Sequence, residues 1–160
     1  MGVLFGCKQE EPAWEPPDVL INEIVASNRT GLQDATGAYP DWVELYNRGE
    51  ATANLSAFTF TDDPTVPQKW SFPAAVEIQA GDYLIIFADG DQTTADELHT
   101  PFRLSASGET VQLIGPSSED LPIIDSVEFG PQTTDVSWAR MPDGGEFEAD
   151  DTPTPGAANE

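Results

Sequence analysis

In the stretch Trp42-Val43-Glu44-Leu45-Tyr46, the aliphatic side chains of Val43 and Leu45 alternate with two aromatic side chains and one acidic side chain. Successive side chains of a β-strand point to opposite faces, so Val43 and Leu45 face one way and the other three side chains face the other way. Such alternation is typical of a strand with one face on a hydrophobic core. The stretch therefore predicts one strand of a layered β-structure.

Similar segments recur along the rest of the chain, separated by clusters of Gly, Pro, Asn and Asp. The connections between them are too short for helical crossovers, so the strands should pair antiparallel. Together they predict an all-β fold, either a sandwich or a barrel. Tyr83–Phe87 is apolar on both faces and is predicted to be a central strand. The predicted strands are Val19–Ala26, Trp42–Tyr46, Phe58–Thr61, Trp70–Phe72, Tyr83–Ala88, Val111–Ile114, Ile123–Phe129 and Val136–Ala139.

The charge of the chain limits the partners that it can bind. Twenty-nine acidic residues stand against six Lys and Arg, which gives a formal net charge of −23 over 160 residues. A surface of this kind repels phosphate, whereas nucleic-acid-binding proteins gain affinity by neutralising phosphates with basic side chains. We therefore expect no direct binding to nucleic acid and no docking on an anionic membrane. Divalent cations and basic partners are the compatible ligands. The alternative is that the charge only keeps an extracellular domain soluble.

The N-terminal stretch Leu4-Phe5-Gly6-Cys7 precedes the polar run Lys8-Gln9-Glu10-Glu11. It resembles the end of a bacterial lipoprotein signal, in which the cysteine becomes lipidated and is the first mature residue. Only six residues precede Cys7, fewer than a complete signal needs. We expect residues 1–17 to be a truncated signal end followed by a Pro-rich tether, and residues 18–160 to be the folded domain. The alternative is a plain disordered terminus with an accidental cysteine.

The residue types argue against catalysis. His99 is the single histidine and Cys7 the single cysteine, so a histidine-based triad would have to use His99. Histidine-rich or cysteine-rich metal spacing is excluded for the same reason. We expect the chain not to be an enzyme, and we expect His99 to make a structural hydrogen bond in its loop.

Calcium is the better chemical hypothesis, because Ca²⁺ takes carboxylate, amide and carbonyl oxygens. Asn28, Asp34, Asp41 and Glu44 surround a Gly-containing loop and form the candidate site. Asp89, Asp91, Asp96 and Glu97 form a second cluster, and Asp62-Asp63 a third. The alternative is that these carboxylates are solvated turn residues.

Two aromatic residues of the stretch 42–46 are candidates for binding a protein or a glycan. Trp42 and Tyr46 lie on the face opposite Val43 and Leu45, where they could form part of a binding surface with Trp70 and Trp138. Packing in the core is the alternative for each of these four side chains.

The order of motifs resembles the lamin tail domain family in its bacterial form, over about residues 18 to 159. The matching stretches are Ile21-Asn22-Glu23-Ile24-Val25-Ala26-Ser27-Asn28, Asp41-Trp42-Val43-Glu44-Leu45-Tyr46-Asn47, Asn54-Leu55-Ser56-Ala57-Phe58, Thr61-Asp62-Asp63, Trp70-Ser71-Phe72-Pro73, Ala80-Gly81-Asp82-Tyr83-Leu84, Leu98-His99-Thr100-Pro101-Phe102-Arg103-Leu104-Ser105, Ile124-Asp125-Ser126-Val127, Ser137-Trp138-Ala139-Arg140, Pro142-Asp143-Gly144 and Thr154-Pro155-Gly156-Ala157-Ala158-Asn159. The resemblance implies an immunoglobulin-like antiparallel β-sandwich. It also implies an extracellular module, alone or beside secreted enzymes. Eukaryotic members end nuclear filament proteins and bind chromatin or proteins, but the acidity of this chain argues against a nuclear role.

From these observations we expect a non-catalytic binding or structural module of the bacterial cell envelope. Lipidated Cys7 would be its only contact with a membrane, suspected to be the outer membrane; otherwise the chain would be secreted. Its partner would be a protein or a glycan on the envelope. The alternative is an accessory domain that assists a secreted hydrolase or nuclease.

Overall fold

The structure is a computed structural model that describes residues 13–91 and 96–160. Two antiparallel sheets pack face to face in this part of the chain, which confirms the predicted all-β sandwich. The strands are β1 Val19–Val25, β2 Trp42–Asn47, β3 Ala53–Asn54, β4 Thr59–Thr61, β5 Trp70–Ser71, β6 Glu77–Ile78, β7 Tyr83–Phe87, β8 Glu109–Ile114, β9 Ile123–Phe129, β10 Ser137–Met141 and β11 Glu146–Asp150. A five-stranded sheet has the order β11-β10-β1-β2-β7, a four-stranded sheet the order β5-β4-β8-β9, and β3 pairs with β6.

The core lies between the two sheets. The five-stranded sheet contributes side chains such as Val43, Leu45 and Ile86, and the four-stranded sheet contributes Phe60 and Leu113, all of them fully buried. Burying each such side chain contributes about 1.5–3 kcal/mol to folding. Val43 and Leu45 thus face the core, as their alternation predicts.

A β-bulge at Asn22 determines which way β1 presents its side chains. The pairing of β1 with β2 shifts between Ile21 and Glu23, which leaves Asn22 without an opposite residue. Strict alternation from Ile21 would turn Glu23 into the core, but the extra residue restarts the alternation. Ile21 and Ile24 therefore both reach the core, and Glu23 and Val25 point to the other face of the sheet.

Two charged side chains complete the backbone pairing at this bulge. The N–H of Ile21 donates to Asp125 Oδ2 at 2.8 Å, and Arg140 Nε donates to the carbonyl oxygen of Ile21 at 3.0 Å. Arg140 also pairs with Asp125 at 3.2 Å and lies over the ring of Phe147. Because Asp125 belongs to β9 and Arg140 to β10, this group joins the two sheets.

The position of β7 differs from the prediction of a central strand, because β7 lies at one edge of the five-stranded sheet. Its two faces are apolar for another reason. Leu84 and Ile86 contact the core, whereas Ile85 and Phe87 pack on the opposite face with Leu32. The edge itself is covered at its C-terminal end, where Phe87 exchanges backbone hydrogen bonds with residues 98 and 100.

Each predicted segment contains a strand, but β3, β6 and β11 were not predicted. Strand β11 forms the other edge of the five-stranded sheet and carries three acidic residues, Glu146, Glu148 and Asp150. Charged edges of this kind disfavour pairing with a second sheet. No helix in the described ranges is long and apolar enough to cross a bilayer.

Candidate functional site on the outer face of the five-stranded sheet

The face of the five-stranded sheet that points away from the core is called the outer face here. Such a face is usually solvated and polar. In this chain it carries a buried pair of carboxylates, Glu23 and Glu44, and beside them an apolar cluster of Val25, Trp42 and Phe87. Two loop segments, residues 28–41 and 153–159, cover these side chains.

Glu23 and Glu44 lie directly opposite each other on β1 and β2, and both side chains are fully buried. Burial raises the pKa of Glu44 to about 8, and the neighbouring Glu23 carboxylate adds to the rise. Burial raises the pKa of Glu23 as well. Two like charges that lie on neighbouring strands and away from water disfavour the state in which both are ionised.

Asp143 forms a third acidic position next to this pair, in the turn between β10 and β11. Its Oδ1 accepts hydrogen bonds from Asn22 Nδ2 at 2.8 Å and from the backbone N–H of Asn159 at 3.0 Å. Its Oδ2 accepts the hydroxyl of Tyr83. Burial, together with this bond, raises the pKa of Tyr83. The bulge residue, the edge strand β7 and the C-terminal segment thus meet at one carboxylate.

Residues 153–159 form the C-terminal strap, which crosses the outer face without belonging to any strand. The N–H of Ala157 donates to the carbonyl oxygen of Thr154 at 2.9 Å, which closes a tight turn with Pro155 and Gly156 at its centre. Gly156 has φ +77°, a conformation that glycine adopts at the third position of a type II turn. The turn directs the Gly156 N–H to Glu44 Oε2 at 2.6 Å.

Asn159 holds the far end of the strap against the sheet. Its Nδ2 donates to the carbonyl oxygen of Arg140 at 3.1 Å, and its Oδ1 accepts the Thr154 hydroxyl at 2.5 Å. The side chain is buried although it lies next to the last residue of the sequence. Polar contacts, rather than apolar packing, therefore fix the strap in this region.

A pocket of about 270 Å³ opens between the strap and the loop that follows β1. Val25, Leu32 and Trp42 supply apolar surface, and Pro153 and Pro155 of the strap form one wall. Asn28, Gly31 and Asp135 complete the lining. The pocket is thus an apolar cavity on the outer face with one carboxylate in its lining.

Asp135 links this pocket to the loop above it. Its Oδ1 accepts the backbone N–H groups of Arg29 and Thr30 at 2.6 and 3.0 Å, and these bonds lower its pKa. The group is therefore ionised at neutral pH and fixes the position of the loop that carries Leu32.

Comparison with known proteins places this architecture in a family. A family-wide sequence profile described as Lamin Tail Domain matches residues 12–131, three quarters of the chain. The chain belongs to the lamin tail domain family. No curated protein matches it. The family fold is an immunoglobulin-like sandwich, as the resemblance implies, and such domains serve as binding or structural modules.

The profile match covers only part of the outer face. It contains β1, β2 and β7, which carry the glutamate pair and the apolar cluster. It ends before β10, so Asp143 and the C-terminal strap lie beyond it. Of the two segments that cover the outer face, residues 28–41 therefore lie inside the match and the C-terminal strap lies outside it.

The structure brings together only some of the residues proposed for calcium. Asp41 Oδ1 accepts the backbone N–H of Asn28 at 2.8 Å, whereas Asp34 Oδ1 accepts both donors of Thr36. Glu44 instead bonds to Gly156 on the outer face. Within residues 13–91 and 96–160, no group of three or more acidic, histidine or cysteine side chains has a metal-binding arrangement. Calcium binding stays a prediction.

The other two acidic clusters also have partners within the lamin tail domain. Asp63 accepts the backbone N–H and hydroxyl of Thr65, and Asp62 pairs with Lys69 at 2.5 Å. Of the second cluster, Asp89 lies 3.1 Å from His99 Nδ1. Glu97 accepts the backbone N–H of Ala35. These contacts tie loops to one another.

His99 is buried against the ring of Phe87, with ring centroids 5.1 Å apart. Its Nδ1 contacts Asp89, and its Nε2 lies 3.5 Å from Glu97 Oε2. This geometry is consistent with the structural role expected for His99. These contacts of His99 hold residues 97–100 along the edge of β7, next to the apolar cluster.

The two aromatic candidates occupy different environments. Trp42 lies on the outer face, as its alternation indicates, but only 1% of it is exposed. Tyr46 is half-buried and stacks on Tyr83, with ring centroids 5.0 Å apart. Both are thus on the face that carries the pocket, and their role in binding stays a prediction. Cys7, the proposed lipidation site, lies outside the described residues.

Three residues of this site were not predicted from the sequence. Glu23, Asp143 and Asn159 are far apart in the chain, and each stands in a motif that reads as an ordinary strand or turn. The signal that could have found Glu23 is the apolar pair Ile21 and Ile24, whose spacing of three residues does not fit a regular strand.

Proposed function

We propose that this lamin tail domain is a non-catalytic protein-binding module, lipidated at Cys7 on a bacterial envelope, that uses the pocket on its outer face. The observation that carries the proposal is the pocket itself. An apolar cavity whose lining includes Val25 and Trp42 of the apolar cluster, on a face that is normally polar, is the arrangement expected for a binding site. The family assignment supports a binding module, and the tether sequence supports the location.

The chemistry of the site specifies the kind of partner. The floor of Val25, Leu32 and Trp42 suits an apolar side chain, which would fill the cavity as an anchor. The net charge of −23 attracts Lys and Arg around that anchor and repels acidic proteins. The partner is therefore a protein segment with an exposed apolar side chain flanked by basic residues.

The proposal is tested by changing one apolar loop residue inside the pocket and one outside it. Leu32 lines the pocket and is half-buried, so Leu32→Ser removes apolar surface from the cavity. Val66 lies on the loop after β4 and is 46% exposed, so Val66→Ser is a matched control. Residues 13–160 and both variants are used as bait for proteins in an envelope extract. A captured protein is then purified and titrated against all three.

We expect Leu32→Ser to weaken binding by about tenfold or more, because anchor residues contribute most of the affinity of an interface. Val66→Ser should bind as the unchanged domain does. Equal binding by Leu32→Ser and the unchanged domain would show that the pocket is not the binding site.

A further inference from the structure

The ladder between β2 and β7 determines which backbone groups of β7 point away from the five-stranded sheet. Just beyond one end of the ladder, the N–H of Ala88 donates to the carbonyl oxygen of Asp41 at 2.8 Å. Just beyond the other end, the N–H of Asn47 donates to the carbonyl oxygen of Asp82 at 3.1 Å. Hydrogen-bonded pairs alternate in an antiparallel ladder, so the even-numbered residues of β7 bond to β2. The odd-numbered residues therefore direct their N–H and carbonyl groups outward.

The three outward-facing residues of β7 are Tyr83, Ile85 and Phe87, and they differ in their partners. The N–H of Phe87 donates to the carbonyl oxygen of Leu98, and its carbonyl oxygen accepts the N–H of Thr100, both at 2.8 Å. Within residues 13–91 and 96–160, the outward N–H and carbonyl groups of Tyr83 and Ile85 have no backbone partner. Both residues are half-buried, so solvent reaches this part of the strand. Four main-chain groups are thus available in an extended row.

The other edges of the two large sheets are protected in ways that β7 is not. Strand β11 carries three acidic side chains, and β9 carries Asp125 and Glu128. Strand β5 is only two residues long. Charged side chains and short strands both discourage pairing with another chain. Strand β7 has five residues and no charged side chain, so in the described part of the chain it is the edge most open to pairing.

A cavity of about 290 Å³ lies beside this open edge. Leu84, Ile85 and Leu98 contribute apolar lining, and Asp96 and Glu97 contribute two carboxylates. A peptide that adds to a sheet as a strand uses both kinds of feature: main-chain hydrogen bonds provide affinity, and pockets for alternate side chains provide specificity. The two carboxylates favour Lys or Arg next to the apolar side chain that enters the cavity.

We propose that the β7 edge binds an extended segment of a basic partner protein, which joins the five-stranded sheet as an added strand and places an apolar side chain in this cavity. The net charge of −23 opposes the pairing of two copies of the chain through this edge and attracts a basic segment instead. This site goes beyond the proposed function, because it does not require the pocket beside the C-terminal strap. Leu32 lines both cavities, so the edge is tested through other residues.

Amide hydrogen exchange of the full chain, followed by NMR, tests the edge with a synthetic probe. The probe is a capped peptide in which Lys and Val alternate. Without the probe, the amides of Tyr83 and Ile85 should exchange faster than those of Leu84 and Ile86, which bond to β2. A saturating amount of probe should raise the protection of Tyr83 and Ile85 about tenfold or more, because their N–H groups gain partners.

Two altered peptides test which features of the probe are recognised. N-methylation of all its amides removes the main-chain donors and should weaken binding about tenfold or more. Replacement of every Lys by Glu keeps the alternation and reverses the charge, so this peptide should not bind at concentrations that saturate the edge with the original probe.

A pair of charge reversals tests the position of the site on the protein. Asp96 is exposed and lines the cavity, so Asp96→Lys should weaken binding of the probe about threefold or more. Asp151→Lys is the matched control, because Asp151 is also exposed and follows β11 at the opposite edge of the same sheet. It changes the net charge equally and should have a smaller effect.

Protected amides at Tyr83 and Ile85 in the dilute free chain would overturn the proposal, since the edge would then already be covered. So would the absence of a rise in their protection with the probe, or equal binding by the N-methylated peptide. Protection that rises with the concentration of the chain alone would show that a second copy occupies the edge instead. The probe reports on the edge and the captured protein on the outer-face pocket, so either proposal can fail while the other stands.

Discussion

Glu23 and Glu44 face each other across the β1–β2 ladder with both side chains fully buried. In an ordinary strand Glu23 would point into the core, and the bulge at Asn22 moves it to the outer face. Buried carboxylates of this kind need hydrogen-bond donors. Backbone N–H groups of the C-terminal strap meet this requirement, and the same strap forms a wall of the pocket.

The first prediction is that the free energy of unfolding falls as pH rises from about 5 to about 8. The Glu44 carboxyl has a pKa of about 8 in the folded chain and 4.5 as its ordinary value. Between these values the folded state holds a proton that the unfolded state has lost. This contribution to stability is fully present below about 4.5 and is lost as pH rises through about 8. Urea unfolding at a series of pH values measures it.

Glu44→Gln provides the control for this pH dependence. It should flatten the decline, because the amide does not titrate. Carboxylates whose pKa is lowered, such as Asp34 and Asp135, contribute stability that is lost only at lower pH. They do not disturb the window above about 5. An equal slope in the unchanged chain and in Glu44→Gln would contradict the assignment to this pair.

The second prediction concerns the charged group that supports the bulge. Arg140→Ala removes the ion pair with Asp125, the bond to the Ile21 carbonyl and the contact with Phe147. Because Arg140 and Asp125 are mostly buried, we expect a loss of about 2–4 kcal/mol in the free energy of unfolding. Arg48→Ala is the control: its pair with Asp18 is about half exposed, and its loss should cost less than about 1 kcal/mol. Similar losses in the two variants would show that the bulge does not depend on Arg140.

The third prediction tests calcium. If Asp34 is a ligand, millimolar Ca²⁺ should raise the melting temperature of the domain, and Asp34→Asn should remove that rise. Asp150→Asn is a close control, because Asp150 accepts the N–H and hydroxyl of Thr152 as Asp34 accepts those of Thr36 and belongs to none of the three clusters proposed for calcium. A melting curve that does not change with Ca²⁺ would remove the calcium hypothesis.

The fourth prediction concerns the tether. In a bacterium that exports the protein, Cys7→Ser should move it from the membrane fraction to the soluble fraction and abolish labelling with radioactive fatty acid. Ser107→Cys in that background restores a cysteine at an exposed position on the folded domain and should not restore labelling. Membrane association that survives Cys7→Ser would disprove lipidation at this residue as the anchor.

The sequence predicts the fold well where hydrophobic alternation is regular. Strands β2 and β9 have clear alternation, and both were located to within a residue. Strand β11 was missed because Phe147 is its single large apolar residue among acidic ones, and its place depends on pairing with β10. The β-strand propensity of these five residues does not predict that they pair with β10.

Tertiary context explains the remaining differences. An apolar segment such as β7 looks the same whether neighbouring strands or covering loops bury its second face, so its place at the edge could not be predicted. The cluster of Glu23, Asp143 and Asn159 depends on one bulge and on the path of the strap. Neither feature has a local sequence signature strong enough to indicate contacts over more than a hundred residues.

We propose that this domain binds its partner on the outer face of the five-stranded sheet. NMR titration of isotope-labelled residues 13–160 with the purified partner tests it most directly. We predict that the largest shift changes occur at the Trp42 indole N–H and at the amides of Leu32 and Thr154. Changes confined to the four-stranded sheet, around Ile123 and Phe129, would contradict the claim.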